Sequence, residues 1–418
     1  MQSARADILL FLLVQTALAL RASHSSIGVS NPWTEYLRFL PENIPVPTLW
    51  NEDERLLLRG TSLETAVNAK MLALEAEFDA VQDASSNIPC WNDTLWESGA
   101  IGVRDWMRLD ALYRSRCLEL PKSGEAIVPC IDMINHSSNA STYYDEDLKD
   151  DVVLLPRPGL SISQGRELTI SYGDTKSAAE MLFSYGFIDP ESSTQSLVLP
   201  LEPFDDDPLA KAKLVGFGEA PKVRVVRDGD SVVWESPFVH LMCVNEEDGL
   251  EFRVLQDTEG DRQLRVFWRG DDVTNQTKKF ESLIRSHPLS VVFRLRIVTV
   301  VQERLQTQLE LAQMYGSETN PGNVREECLE AAQLLRRIET SILESAVDFL
   351  DKEVCSVEEK SANSISDAAA CTAADQGLMQ KNSLLTDKNV VAYLGSTETA
   401  ESDLVDQEAT NEVEEDFS

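Results

Sequence analysis

No Cys-x-x-Cys or Cys-x-Cys pair occurs anywhere in the 418 residues, and the seven cysteines (Cys90, Cys117, Cys130, Cys243, Cys328, Cys355, Cys371) are odd in number and widely scattered. A structural zinc site and a disulfide framework are thereby disfavoured. Histidine is as scarce: His24, His136, His240 and His287 include no pair four residues apart, which removes a zincin-type helix. No apolar run reaches membrane-spanning length, since the longest, Ile8 to Leu20, is too short for a span and is diluted by Gln15 and Thr16. Basic residues are few. Lys and Arg number 37 against 71 Asp and Glu, so the net charge is 37 − 71 = −34. A protein that coats nucleic acid by neutralising phosphates is disfavoured, and a basic or neutral partner is expected.

What remains is globular. Hydrophobic residues make up 43% of the chain and charged residues 26%, and the length suggests two or three domains with sizeable cores. The cysteine pattern predicts a cytoplasmic and/or nuclear protein. The Ile8 to Leu20 run, with Arg5 before it and Ala17-Leu18-Ala19 near its end, has signal-peptide grammar; the competing reading is a buried helix.

From Ser23 to Trp50, aromatic and proline anchors (Trp33, Tyr36, Pro41, Pro45, Pro47, Trp50) predict short elements pinned to a core. Leu63, Val67, Leu72 and Phe78 then follow a helical period, with Thr61 or Ser62 as N-cap ahead of Glu64. Trp106 to Leu120 reads as a helix running into an extended segment at Leu118. Short strands are predicted at Ala126 to Ile131, Val152 to Pro156 and Glu167 to Tyr172. Loops almost as long as the strands suit a folded-ribbon β domain rather than a doubly wound sheet. Further on, Val223 to Arg227 and Ser231 to Trp234 flank Asp228-Gly229, a hairpin signal. Phe252 to Leu255 and Leu264 to Trp268 are further strand candidates, and helices dominate Val273 to Asp351. From about Cys355 the chain carries 14 acidic residues against three lysines and almost no aromatics, which predicts a disordered acidic tail over 355–418.

The most specific stretch runs from Ile127 to Pro190. It contains "IVPCIDMINHSS", read as a strand that opens into a loop at Asp132, Asn135, His136 and Ser137, and then "GRELTISYGDTKSAAEMLFSYGFIDP". Two Tyr-Gly dipeptides in close succession, Tyr172-Gly173 and Tyr185-Gly186, each allow close backbone approach. Taken singly, Tyr172, Tyr185 and Phe187 could be core aromatics, His136 a satisfied loop histidine, Arg116 a helix-end partner of a carboxylate and Asp132 an Asx turn.

Together, these paired motifs resemble the SET domain, and within it the branch of Rubisco large-subunit lysine methyltransferases and actin histidine methyltransferases. The resemblance covers roughly Ile8 to Asp351, and under it the Ile8 to Leu20 run becomes a core helix. It implies an α+β fold: a SET-type β-ribbon domain over 1–200 with a helical insert at about 23–115, followed by a mainly α-helical substrate-binding-like domain over 201–354. It implies Tyr172 as the catalytic tyrosine, and Arg116, Asp132, Asn135, His136 and Phe187 at the site of the methyl donor, S-adenosyl-L-methionine. Asp132 would also shape the target-amine channel, Phe187 would pack on adenine, and Tyr185 would face the target side chain. No metal is implied.

The implied activity is lysine N-methylation of a non-histone protein with a basic surface, by a monomer with no nucleic-acid or membrane partner; histidine is the variant target. Two departures accompany the resemblance. The spacing from Tyr172 to Phe187 is longer by a single position than is usual in the family, which places a small insertion at Asp174-Thr175. The G-x-G segment that opens a SET domain has no counterpart before the motifs, because Gly216-Phe217-Gly218 follows them. The expectation is therefore a chain without the N-terminal lobe, and the alternative function is a non-catalytic protein-binding scaffold.

Overall fold

The computed structural model describes residues 3–22, 32–97, 99, 101–229, 231–256, 262–316 and 323–371. The apolar N-terminal run forms α1 (Ala4–Ala22), with Leu9, Leu12, Leu13 and Ala17 buried. It is a core helix. After α2 (Pro32–Phe39) comes α3 (Glu52–Leu56), opened by a reciprocal cap in which Asn51 Oδ1 accepts the Glu54 N–H at 2.9 Å and Glu54 Oε2 accepts the Asn51 N–H at 3.0 Å. Next are α4 (Leu63–Ser86), the single turn α5 (Pro89–Trp91) and α6 (Val103–Arg116). The start of α4 differs from the expected cap: the Ser62 hydroxyl makes no cap bond and instead donates to Glu339, far along the chain.

The β region is a set of very short ladders. Strands β1 (Leu118–Leu120) and β2 (Gly124–Ala126) pair antiparallel, as do β4 (Thr142–Glu146) and β5 (Val152–Pro156). A third ladder pairs β3 (Asn135–His136) in parallel with β6 (Thr169–Ile170). The strand expected over Ala126 to Ile131 is not formed. Pro129 lacks an N–H to donate, Cys130 adopts φ +76, and Ile131–Met133 becomes a 3-10 turn, so Asp132 sits in a turn rather than at a strand end. The expected strand over Glu167 to Tyr172 likewise shrinks to Thr169–Ile170. Helix α7 (Ala178–Tyr185) follows, capped by Ser177 and closed by Gly186 at φ +82.

The second half contains the sheet β7 (Ser196–Pro200), β8 (Lys222–Asp228) and β9 (Ser231–Glu235), with α8 (Ala210–Phe217) between β7 and β8 and α9 (Pro237–Met242) after β9. The Asp228-Gly229 hairpin is present, with Gly229 at φ +58. Gly216-Phe217-Gly218 closes α8, where a side chain at Gly216 would come within 2.9 Å of Val266. A second sheet joins β10 (Leu250–Gln256), β11 (Arg262–Trp268) and β12 (Asp271–Asp272). The helices α10 (Phe280–Ile284), α11 (Ser290–Gly316) and α12 (Glu326–Cys371) follow. Helix α12 runs past Cys355, so the first part of the stretch read as a tail is helical; residues 372–418, like 23–31 of the expected insert, lie outside the described residues. Among the described residues no helix is long and apolar enough to cross a membrane.

Two interactions hold this arrangement. The first is centred on Asp110, whose side chain is fully buried between α1, α4 and α6. Its Oδ1 accepts Arg5 Nη2 at 2.8 Å and lies 3.4 Å from Lys70 Nζ, and its Oδ2 accepts Arg114 Nε at 2.8 Å. Burial alone would raise the Asp110 pKa, but Lys70, Arg114 and Arg5 outweigh it and hold the carboxyl well below the usual range. Arg114 continues outward, donating to Thr48 Oγ1 at 2.8 Å and to the Phe183 carbonyl on α7, with its guanidinium 4.4 Å above the Phe183 ring.

The second is the junction between the first half and the C-terminal helices. Arg325 grips Glu54 with two nitrogens at 2.7 and 3.0 Å, Arg336 donates to the Arg59 and Leu57 carbonyls at 2.6 Å each, and Gly60 abuts α11 so closely that a Cβ would lie 2.6 Å from Leu311 O. Cys328, Ala332 and Leu335 of α12 share one apolar cluster with Trp50, Leu63, Val67, Leu182 and Phe183. Within this junction burial raises Glu339 to about 7, against the lowering effect of its Ser62 hydrogen bonds and of Arg336.

Asp110→Asn should remove the counter-charge of the buried Lys70 and Arg114 and of the partly buried Arg5, and cost about 3–5 kcal/mol in a urea unfolding titration. Glu339 tests the junction through pH. Its folded pKa lies above the ordinary 4.5, so its contribution to stability is complete below about 4.5 and is lost as pH rises through about 7. Unfolding midpoints measured from pH 5 to pH 8 should fall for the native protein and fall less for Glu339→Gln; equal slopes would contradict the assignment.

Candidate active site

The site forms where three chain segments cross: 134–138, 170–174 and 185–189. The parallel β3–β6 ladder pairs Asn135 with Thr169 and His136 with Ile170, and the Ser137 N–H donates to Ile170 O at 3.0 Å. His136 then fixes the segment after β6, because its Nδ1 accepts the Tyr172 N–H at 3.1 Å. A ring nitrogen that accepts a backbone N–H is unprotonated, so Nε2 carries the hydrogen directed at Asp189 Oδ2, 3.1 Å away. Burial raises the Asp189 pKa, but the Ser138 hydroxyl, the Glu191 N–H and His136 outweigh it and the net shift is downward. Asp189 therefore stays a carboxylate that orients the imidazole.

Tyr172 occupies the crossing point. Its hydroxyl donates to the Ile134 carbonyl at 2.7 Å, and its own carbonyl accepts the Tyr185 hydroxyl at 3.2 Å. The Tyr172 ring lies 4.5 Å from that of Tyr185, 5.2 Å from His136 and 6.3 Å from Phe187. Desolvation raises the Tyr172 pKa; Arg116 opposes this and Asp132 adds to it, so the group remains a neutral phenol. Tyr185 is pushed up further, again chiefly by burial.

Helix α7 aims Tyr185 and Phe187 into this crossing, and local sequence explains how. Ser177 Oγ accepts the Glu180 N–H at 3.2 Å, and the Glu180 carboxylate accepts the Ser177 N–H, which sets the start of the helix. At the end, Gly186 turns left-handed against Pro45: an added Cβ would lie 2.7 Å from Pro45 Cγ and 2.8 Å from its carbonyl carbon. Only glycine fits there, for both the turn and the approach.

A cleft of about 530 Å³ opens beside the crossing. Arg116, Asp132, Tyr172 and Tyr185 line it together with Ser115, Tyr144, Gly173 and Lys176. Arg116 Nη1 donates to the Asp132 carbonyl at 3.0 Å and approaches Asp132 Oδ2 at 3.4 Å, while the Tyr36 hydroxyl of α2 donates to the same Oδ2. Asn135 is exposed and gives its amide to Glu167 Oε1 at 2.6 Å. His136 and Phe187, 5.8 Å apart, pack against Tyr172 and do not line the cleft. Of the residues singled out in the sequence, four thus wall one cleft, two pack against Tyr172 outside it, and Asn135 faces outward.

Tyr144, Lys176 and Asp189 escaped the sequence reading. Tyr144 lies on the β4–β5 hairpin between the two motif stretches, where no spacing marked it. Lys176 and Asp189 closely follow the two Tyr-Gly motifs, so adjacency was the available signal.

The donor set suits an organic ligand with both charges. Asp132 Oδ1 and Arg116 Nε are buried without a hydrogen-bond partner among the described residues, and the two side chains share one cleft wall. An unpaired carboxylate oxygen and an unpaired guanidinium N–H on these two residues fit a molecule bearing an ammonium and a carboxylate, such as the amino-acid end of S-adenosylmethionine. Among the described residues no group of three or more His, Cys, Asp or Glu side chains could hold a metal ion.

No family model matches the chain. Over 329 residues it is 30% identical to SET domain-containing protein 8 of Schizosaccharomyces pombe, a match that spans 77% of this chain and 71% of that protein. It is 29% identical over 237 residues to the chloroplastic ribulose-1,5 bisphosphate carboxylase/oxygenase large subunit N-methyltransferase of Pisum sativum, spanning 52% of this chain and 46% of that enzyme. The solved structure of Rubisco LSMT bound to AdoMet shares the fold, with a TM-score of 0.58 over 90% of this chain and 80% of that one, at 19% identity. The threaded Asn135-His136 and Tyr172-Gly173 segments thus stand in a chain that belongs to the SET-domain methyltransferase family and is related to the Rubisco large-subunit lysine methyltransferases.

Proposed function

We propose that this protein is an S-adenosylmethionine-dependent protein-lysine N-methyltransferase acting on a non-histone protein with a basic surface. The observation that carries this reading is the placement of Tyr172, a neutral phenol at the junction of the cleft and the His136–Phe187 cluster. When bound, S-adenosylmethionine supplies a methyl group on a cationic sulfur. The chain's own residues must present an acceptor amine to it with the lone pair free. A lysine in water has a pKa near 10.4, so the site must favour the neutral amine. A half-enclosed cleft walled by Tyr144, Tyr172 and Tyr185 does this by desolvation, and its open mouth lets water take the proton.

Orientation is the second requirement. The Tyr172 hydroxyl spends its hydrogen on Ile134 O, so its oxygen is left as an acceptor facing the reacting groups. His136, held by Asp189, fixes the Tyr172 backbone, and Tyr185 holds the same residue from its carbonyl. The contribution is one of positioning, to which misplacement of about 1 Å is costly by roughly 100-fold. Arg116 and Asp132 are assigned to the amino-acid end of the donor, and His136 and Phe187 to the flank that takes the adenine. Asn135 contributes through its backbone, since Glu167 holds its side chain.

The basic-surface partner is supported by the net charge of −34 and by a second cleft of about 680 Å³ in the C-terminal half. There Asp206, Asp207, Glu246 and Glu247 outnumber the single Arg296 around the half-exposed Phe204. Such an excess of acid favours encounter with a basic protein segment. The relatives named as a Rubisco large subunit N-methyltransferase and a fructose-bisphosphate aldolase-lysine N-methyltransferase support a non-histone target.

Calorimetry with S-adenosylmethionine on the purified chain should show binding, and Tyr172→Phe should keep that binding while transfer of labelled methyl to a protein extract falls about 100-fold. Unchanged transfer in Tyr172→Phe would refute its catalytic role. Absence of binding at millimolar donor would leave the scaffold reading in its place.

A further inference from the structure

Lys176 is the one cationic side chain in the cleft besides Arg116 among the described residues, and the reaction proposed above gives it no role. It follows Tyr172 closely in the chain and stands directly before the Ser177 cap of α7. Its stem folds back over Gly173, whose absent side chain makes the room: an added Cβ would stand 3.0 to 3.1 Å from Lys176 Cε, Cδ and Cγ. Its Nζ lies 5.8 Å from the centroid of the Tyr185 ring, and that ring stacks 4.5 Å from Tyr172. Among the described residues no carboxylate comes within ion-pair distance of Nζ, although Glu180 and Glu119 are near enough to act through space. This amine is therefore held among aromatic faces in the cleft that a target lysine would enter.

We propose that Lys176 is itself a methyl acceptor, an automethylation site presented in cis to the cleft around Tyr172. The inference rests on the methyltransferase reading. In the step, the lone pair of neutral Lys176 Nζ forms a bond to the methyl carbon of S-adenosylmethionine as the S–C bond breaks and its electron pair returns to sulfur. The products are S-adenosylhomocysteine and a methylammonium, whose proton passes to water. Several observations favour the neutral amine. Burial is the largest influence and lowers the Lys176 pKa, against the raising effect of Glu180 and Glu119. The start of α7 adds the positive end of a helix dipole, which disfavours an ammonium at that place. The stem has four torsions about which Nζ can turn within the cleft, and the missing side chain of Gly173 leaves room for the stem.

Two measurements on the purified full-length chain test this. Without donor, brief acylation by an N-hydroxysuccinimide ester at pH 8, mapped by peptide mass, should modify Lys176 several-fold faster than the exposed Lys149. A Lys176 rate at or below that of Lys149 would overturn the inference, because the amine would then be neither neutral nor presented. With labelled S-adenosylmethionine, methyl should appear at Lys176, disappear in Lys176→Arg and be lost in Tyr172→Phe. Methyl transfer to an added protein extract with Lys176 unmodified would overturn automethylation and leave the proposed activity standing. Absence of donor binding in calorimetry would overturn both.

Discussion

A single buried carboxylate holds the catalytic half together. Asp110 is surrounded by Arg5 from α1, Lys70 from α4 and Arg114 from its own helix, and Arg114 carries the connection on to Thr48 and to the Phe183 carbonyl. Phe183 lies just before Tyr185 on α7. The aim of Tyr185 and Phe187 at Tyr172 therefore depends on a charge cluster none of whose members lines the cleft. Such a cluster adds little net stability over an apolar core, but its geometry is demanding, and losing one member leaves the others unpaired in low dielectric. It fixes orientation more than it stabilises.

The junction with the C-terminal helices has a different character. Glu54 and Arg325 form a forked pair at its edge, and Arg336 satisfies the carbonyls of the Leu57–Arg59 turn. Apolar residues of α12 fill the space behind Phe183. One helix thus packs against both halves of the molecule. The cleft near Phe204 and the cleft at Tyr172 lie on either side of this junction.

Much of the fold was legible in the sequence. The helical period from Leu63 to Phe78, the Asp228-Gly229 hairpin and the pairs Phe252–Leu255 and Leu264–Trp268 all formed where pattern placed them, because each is set by side-chain spacing along one element or by a single turn. The ladders near the site were less legible. Val152–Pro156 formed as read, but Ala126–Ile131 broke at Pro129 and Cys130, and Glu167–Tyr172 kept only Thr169 and Ile170 paired. So short a strand has no periodicity to detect; its existence depends on the partner that chain crossing brings to it.

The same division applies to the site. Composition and motif spacing determined the absence of zinc-type cysteine and histidine spacing, the excess of acid and the paired Tyr-Gly segments that mark the family. Tertiary structure decided which of those residues meet. It put Arg116, Asp132, Tyr172 and Tyr185 on one cleft, turned the Asn135 amide to Glu167, and recruited Asp189 and Lys176, which had no motif role of their own. The reason is physical. Motifs record what each short segment can do, whereas the direction of a side chain at a crossing is set by contacts from segments remote in sequence, such as Asp189 on His136 and Tyr36 on Asp132.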